Sequence, residues 1–340
     1  MRVRELFGAI CLAALVLTGC DNQQPERPFR IGSHVSPMST GVRGVLTPWV
    51  DQVRAENPDF VIRTFWGGTL GKDGFKQYDL VANGVLDAGW VLPDYTAGQF
   101  PETGLFALPG LFSSGEEASH VGWALYQEGL LSGFDKVELI GFFTTEPNAL
   151  FMREPISSLG DLRQKKVRSL GSIQGRWLED LGASPQALSA VDMNQALAKG
   201  ALDGAIQGWT GMKTFKSFPL VKQGFAVPIG VTPFMLVANR KSWEALPAQV
   251  QQSMRKWGGE AMAGTGARAY GDASAAIQTD IASDPSFTTL RPDPGEQAAF
   301  QREAEAVHRW WIARTPNGQQ IYDRAVELRD AYRAKAQTLG

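Results

Sequence analysis

Two runs of alternating strand and helix pattern constrain this chain more than any other feature. Residues 29–34 (FRIGSH) have strand composition, and 41–56 place Val42, Val45, Leu46, Trp49, Val50 and Val53 at mixed three-and-four spacing. Residues 60–66 (FVIRTFW) predict a second strand, 73–83 a helix stopped by Asn83-Gly84, and 85–92 a buried strand. This βαβαβ order predicts a parallel sheet with helices on its faces. A helix over 116–131 and strands near 137–143 and 148–152 lead to the second run. That run has a strand at 166–170, a helix at 172–181, a strand at 185–188 and a helix at 190–199, opened by a capping box of Ser189 and Asp192. Strands at 201–206 and 233–238 follow, and then helices over 248–282, 294–313 and 317–337. The expected class is α/β, in two halves with strands passing between them and a helical C-terminal third. A length of 340 residues suits two domains.

The chemistry that is missing narrows the function. No G-x-S-x-G elbow, Walker A, G-x-G-x-x-G or H-E-x-x-H occurs. His34, His120 and His308 are scattered, and the cysteines are Cys11 and Cys20 alone, so no metal-ligand spacing or disulfide framework is present. A net charge of −2 gives no electrostatic case for nucleic-acid binding. A binder is expected rather than an enzyme, without cofactor or metal.

The first residues predict export. Arg2 and Arg4 precede a mostly apolar run over 6–17, well short of the roughly 20 residues that span a bilayer. It ends in Leu17-Thr18-Gly19-Cys20, which resembles a bacterial lipobox. Residues 1–19 are then a lipoprotein signal peptide, Cys20 the lipidated residue and 20–28 a polar, Pro-bearing tether. Asp21 resembles an inner-membrane retention signal, giving a periplasmic protein held by lipid at the inner membrane. The alternative is a plain signal peptide that happens to contain a cysteine.

Residues 155–212 carry a more specific pattern. Pro155-Ile156 with Leu159 and Leu162, Lys166-Val167-Arg168, Leu181-Gly182-Ala183-Ser184-Pro185, and Ala196-Leu197 followed by Gly200 and Asp203-Gly204 stand in order. Together they resemble the solute-binding subunits of tripartite ATP-independent periplasmic (TRAP) transporters. Weaker matches at Gly68–Gly71, Gly84–Asp87, Leu108-Pro109 and Asn239 with Trp243 extend the likeness over about 29–310.

The resemblance implies a two-lobed periplasmic-binding-protein-like fold with a ligand cleft between lobe 1 (29–147) and lobe 2 (148–238), completed by a helical region over 239–340. It implies capture of a small organic acid for delivery to integral membrane permease subunits. The Arg of the K-x-R motif, here Arg168, would grip the ligand carboxylate, because a guanidinium matches a carboxylate with paired donors. Gln207 and Trp209 in lobe 2, and His34, Trp90, Tyr95 and Phe234 in lobe 1, are further ligand-binding candidates; core packing is the alternative for the aromatics. Asn148 stands where some relatives carry a second arginine, which favours a ligand with one carboxylate and a less polar body. The alternatives are an ABC-type solute-binding lipoprotein, an exported α/β enzyme, or an interaction module with no small ligand.

Overall fold

The computed structural model describes residues 27–339, so the expected signal peptide, Cys20 and most of the expected tether lie outside the described residues. The first run of the chain forms β1 (Phe29–Gly32), a π-helical turn (Val42–Leu46) continuing into α1 (Thr47–Glu56), β2 (Ile62–Phe65), α2 (Gln77–Ala82), β3 (Ala88–Val91), α3 (Gly115–Gln127) and β4 (Val137–Thr144). The second forms β5 (Ala149–Met152), β6 (Lys166–Ser169), α4 (Ser172–Asp180), β7 (Ser184–Ala187), α5 (Ala190–Ala198), β8 (Gly204–Gln207), α6 (Trp209–Thr214) and β9 (Gln223–Phe225). Then come β10 (Pro233–Asn239), α7 (Arg240–Glu244), α8 (Ala248–Trp257), α9 (Gly259–Ala282), β11 (Thr288–Leu290), α10 (Pro294–Ile312) and α11 (Gly318–Leu339).

Local chemistry accounts for several boundaries. Ser114 and Glu117 close a reciprocal capping box on α3, and Asp293 and Glu296 do the same on α10. At α5 the Ser189 hydroxyl accepts from the Asp192 N–H, the N-cap half of the expected box. The helical run expected over 248–282 breaks into α8 and α9. A Cβ at Gly258 would stand 2.2 Å from the Ile140 carbonyl oxygen, and Gly259 has φ +47°, so a glycine pair turns the chain against β4.

The elements build two sheets, β2-β1-β3-β10-β4 and β11-β9-β5-β8-β6-β7. The expectation of a parallel sheet needs correction. β10 runs antiparallel to both neighbours in the first sheet, and β5 does so in the second. Both strands are entered straight from the other sheet, through residues 145–148 and 226–232, and have no crossover helix to return them parallel. β10 therefore completes the first lobe's sheet, and the expected lobe 2 boundary at 238 assigned it to the wrong side. β9 and β11 were not anticipated.

One apolar cluster, including Phe106, Phe142, Leu150, Trp177, Ile229 and Trp311, is continuous through both lobes. The C-terminal helices bind the lobes together. α9 packs on β4 and reaches α6, α10 packs on α4, and α11 packs on α3. Arg333 of α11 donates to the buried Glu117 of α3, and His308 of α10 joins the Pro109 carbonyl to the Tyr322 hydroxyl. Among the described residues, no helix is long and apolar enough to cross a membrane.

Candidate functional site

A cavity of about 60 Å³ lies where the two lobes meet. By the same measure a water molecule needs about 10–15 Å³, so the space has room for about four to six water-sized groups. Its wall takes His34, Ser39, Trp90 and Tyr95 from the first lobe, Arg168, Leu170 and Gln207 from the second, and Thr145 and Thr232 from the crossovers.

Arg168 is fully buried on β6. Its Nε donates to the Leu188 carbonyl at 2.9 Å and its Nη1 to the Ile206 carbonyl at 2.8 Å. Its Nη2 is buried without a protein partner. Backbone carbonyls thus fix two arms of the guanidinium and leave the third unsatisfied. Burial pulls the Arg168 pKa down, and Tyr95 and Asp94 oppose that pull. A buried, charged donor left unpaired is costly, so an acceptor reaching Nη2 would gain more than an ordinary hydrogen bond. Tyr95, beside it, joins the lobes: its hydroxyl accepts from the Ala190 N–H at 3.2 Å, and its ring stacks on Phe75 at 4.4 Å.

The opposite wall is aromatic. Trp90 and Phe234 meet edge to face at 4.7 Å, and Tyr270 of α9 lies 5.7 Å from Phe234. Gly41 makes room for this cluster, because a Cβ there would sit 2.4 Å from Trp90 Cη2 and 2.7 Å from the Tyr270 hydroxyl. The π-helical turn begins at the next residue. Gln207 lies over Gly211, where a Cβ would come within 2.8 Å of its amide carbon. Burial pushes the His34 pKa down to about 4 against the pull of Asp73, so His34 is neutral at physiological pH. Its Nδ1 and the Trp90 Nε1 are further buried nitrogens without partners on cavity-lining residues.

The structure thus brings Arg168, Gln207, His34, Trp90, Tyr95 and Phe234 to one cavity, and it removes two sequence candidates. Trp209 packs in a second-lobe core with Phe151, Phe218 and Phe287. The Asn148 side chain is spent in the crossover, donating to the Gly230 carbonyl and accepting from the Thr232 hydroxyl. Sequence reasoning missed Tyr270, which α9 carries in from the C-terminal third, and two acids, the buried Glu146 and the half-buried Asp94. Glu146, in the first crossover, accepts from the Thr210 N–H at 2.8 Å and from its hydroxyl, and burial pushes its pKa up to about 7. Asp94, beside Tyr95, is also pushed up to about 7 by burial, against the pull of Arg168. A lone glutamate between two apolar strands was the one available signal for Glu146. No cluster of metal-ligating side chains occurs among the described residues.

Known proteins fit this arrangement. The family described as bacterial extracellular solute-binding protein, family 7 (DctP) matches residues 32–314. The uncharacterized protein YiiZ of Salmonella typhimurium is 33% identical over 155 residues, covering 43% of this chain and 46% of that protein. The C4-dicarboxylate-binding periplasmic protein DctP of Rhodobacter capsulatus is 25% identical over 155 residues, covering 45% of this chain and 46% of its own. The chain spans about half the length of these curated relatives.

Solved structures match over nearly the whole fold. A TRAP solute-binding protein from Rhodoferax ferrireducens, in complex with copurified benzoate, superposes with a TM-score of 0.85 at 24% identity, covering 91% of this chain and 99% of that one. A marine metagenome TRAP protein specific for aromatic acid ligands gives 0.84 at 24% identity over 89% and 98%. One from Bordetella bronchiseptica with bound mandelate gives 0.81 at 20% identity over 90% and 99%. The chain belongs to the DctP family, family 7 of the bacterial extracellular solute-binding proteins.

Proposed function

We propose that this protein captures a small monocarboxylate with an apolar, aromatic-sized body and delivers it to TRAP permease subunits. The observation that carries the reading is the buried, unpartnered Nη2 of Arg168 in a cavity otherwise walled by Trp90, Phe234 and Tyr270. The ligand carboxylate would accept from Nη2, and its body would lie against the aromatics. Among the described residues, Arg168 is the one cationic side chain on the cavity wall, because His34 is neutral, so one carboxylate is matched and a second is not. The benzoate and mandelate held by similar structures support this chemistry.

Binding is the whole of the chemistry in this reading, and the chain is not an enzyme. The lobes close on the ligand and desolvate its pairing with Arg168. Cys20, at the end of its lipobox, would carry the acyl chains that hold the protein at the periplasmic face of the inner membrane.

A thermal-shift screen of mono- and dicarboxylates against wild type and Arg168→Ala tests this. A bound acid at 100 times its Kd should stabilise wild type by about 2.7 kcal/mol. Arg168→Ala should weaken binding by about 2–5 kcal/mol, at least about 25-fold in Kd. Preference for succinate over benzoate, or an Arg168→Ala variant that binds as wild type does, would overturn the reading.

A further inference from the structure

Beside the ligand cavity stands an acidic group that the carboxylate-anchor reading does not use. Asp94 lies in the 3-10 turn Pro93–Thr96 of the first lobe, next to Tyr95. Its Oδ2 is shut away from solvent and has no hydrogen-bond partner. It sits on the seam between the lobes: a Cβ on Gly171, the N-cap of α4 in the second lobe, would meet the Asp94 carbonyl oxygen at 3.7 Å and its Cβ at 3.9 Å. Asp94 also lines a second interlobe cavity of about 170 Å³, with Gly171, Ser172, Trp311 and Arg314. Arg168 is the one charge that acts on it appreciably, yet Asp94 Oδ2 and Arg168 Nη2 are both left without a partner among the described residues.

The other charged groups nearby are committed or distant. Arg314, just beyond α10, lines the second cavity and lies over the Trp310 ring. Lys76 pairs with Asp79, and Glu102 is held by Ser132. β10 and the first turn of α4 carry no charge.

An acid and a guanidinium, each with a buried unsatisfied atom, therefore face the same seam. With the lobes apart, water would solvate Asp94 as an ordinary ionised carboxylate. With the lobes together and a ligand carboxylate on Arg168, an ionised Asp94 would be a second anion, its Oδ2 shut from solvent, beside one cation. Resting on the carboxylate-anchor reading, we propose that Asp94 is a proton-linked specificity residue: the lobes close on a carboxylate with uptake of one proton from solvent onto the Asp94 carboxyl. The site then counts charge, accepting a monoanion together with a proton and rejecting a dianion.

The sign follows from which state holds the proton. The closed, liganded form binds one proton more than the open form between the ordinary carboxylate range and about 7, the value to which burial raises Asp94. Affinity must fall as pH rises through that window and level off above it.

Titration calorimetry of benzoate binding at pH 5.5–8, in buffers of different ionisation enthalpy, tests the proposal on wild type, Asp94→Asn, Glu146→Gln and Arg168→Ala. Wild type should take up close to one proton per benzoate at pH 6 and lose about tenfold in affinity per pH unit up to about 7. Asp94→Asn should show no uptake and no slope, and should bind more tightly than wild type at pH 7.5. Glu146→Gln should keep the wild-type slope. Absent proton uptake in wild type, a slope that survives Asp94→Asn, or a slope lost only in Glu146→Gln would overturn the role of Asp94 while leaving the anchor standing. Binding unaffected by Arg168→Ala, or no binding at all, would overturn the anchor reading and this proposal with it.

Discussion

Gln207 and Trp209 stand two positions apart at the end of β8, and they face different interiors. Gln207 lines the interlobe cavity; Trp209, the first residue of α6, turns into the second-lobe core against Phe151. Both were nominated by the family resemblance alone, which places ligand contacts in the stretch after Asp203-Gly204. The strand stops at Gln207, and the helix that starts at Trp209 resets the direction. Trp209→Phe should accordingly lower unfolding free energy by about 1–3 kcal/mol in denaturant titrations. Its Kd for a bound acid should stay within about threefold of wild type. Arg168 was legible through its motif, and the geometry supplies the physical reason: two arms tied to carbonyls and one left free. Tyr270 and Asp94 carried no comparable signal. Each gains its place from a neighbour more than 70 residues away, Phe234 apart, since Gly41 and Arg168 are the groups that define their surroundings.

At the scale of elements, the alternation of strand and helix was readable because amphipathic periodicity is a local property. Strands of three residues such as β9 and β11 give too short a window for it, and they exist because they pair with each other beside β5. The sheet that β10 joins was not readable either, since its seven buried residues satisfy any central strand. Helix packing offers a sharper test. Gly122 of α3 presses on β4, and a Cβ there would stand 2.0 Å from the Phe142 ring. Gly122→Ala gains up to about 1 kcal/mol of helix propensity but overpacks a core position, at a cost of about 1–3 kcal/mol. Thermal unfolding should therefore show a net loss of stability, because the ring is held in turn by Phe106.

The molecule as a whole is two lobes joined by two short crossovers and strapped by C-terminal helices, with the cavity at the seam. Gly230, in the second crossover, has φ +66°, and a Cβ there would strike the Ala107 backbone at 2.5 Å. The chain therefore turns tightly against the first lobe just where it returns to it. This architecture puts one guanidinium where both lobes can enclose what it binds. A crystal structure of the protein with benzoate tests that claim most directly. The account predicts the benzoate carboxylate on Arg168 Nη2 at about 2.7–2.9 Å, with the ring against Trp90 and Phe234. A benzoate seated elsewhere, or one whose carboxylate is turned away from Arg168, would contradict it.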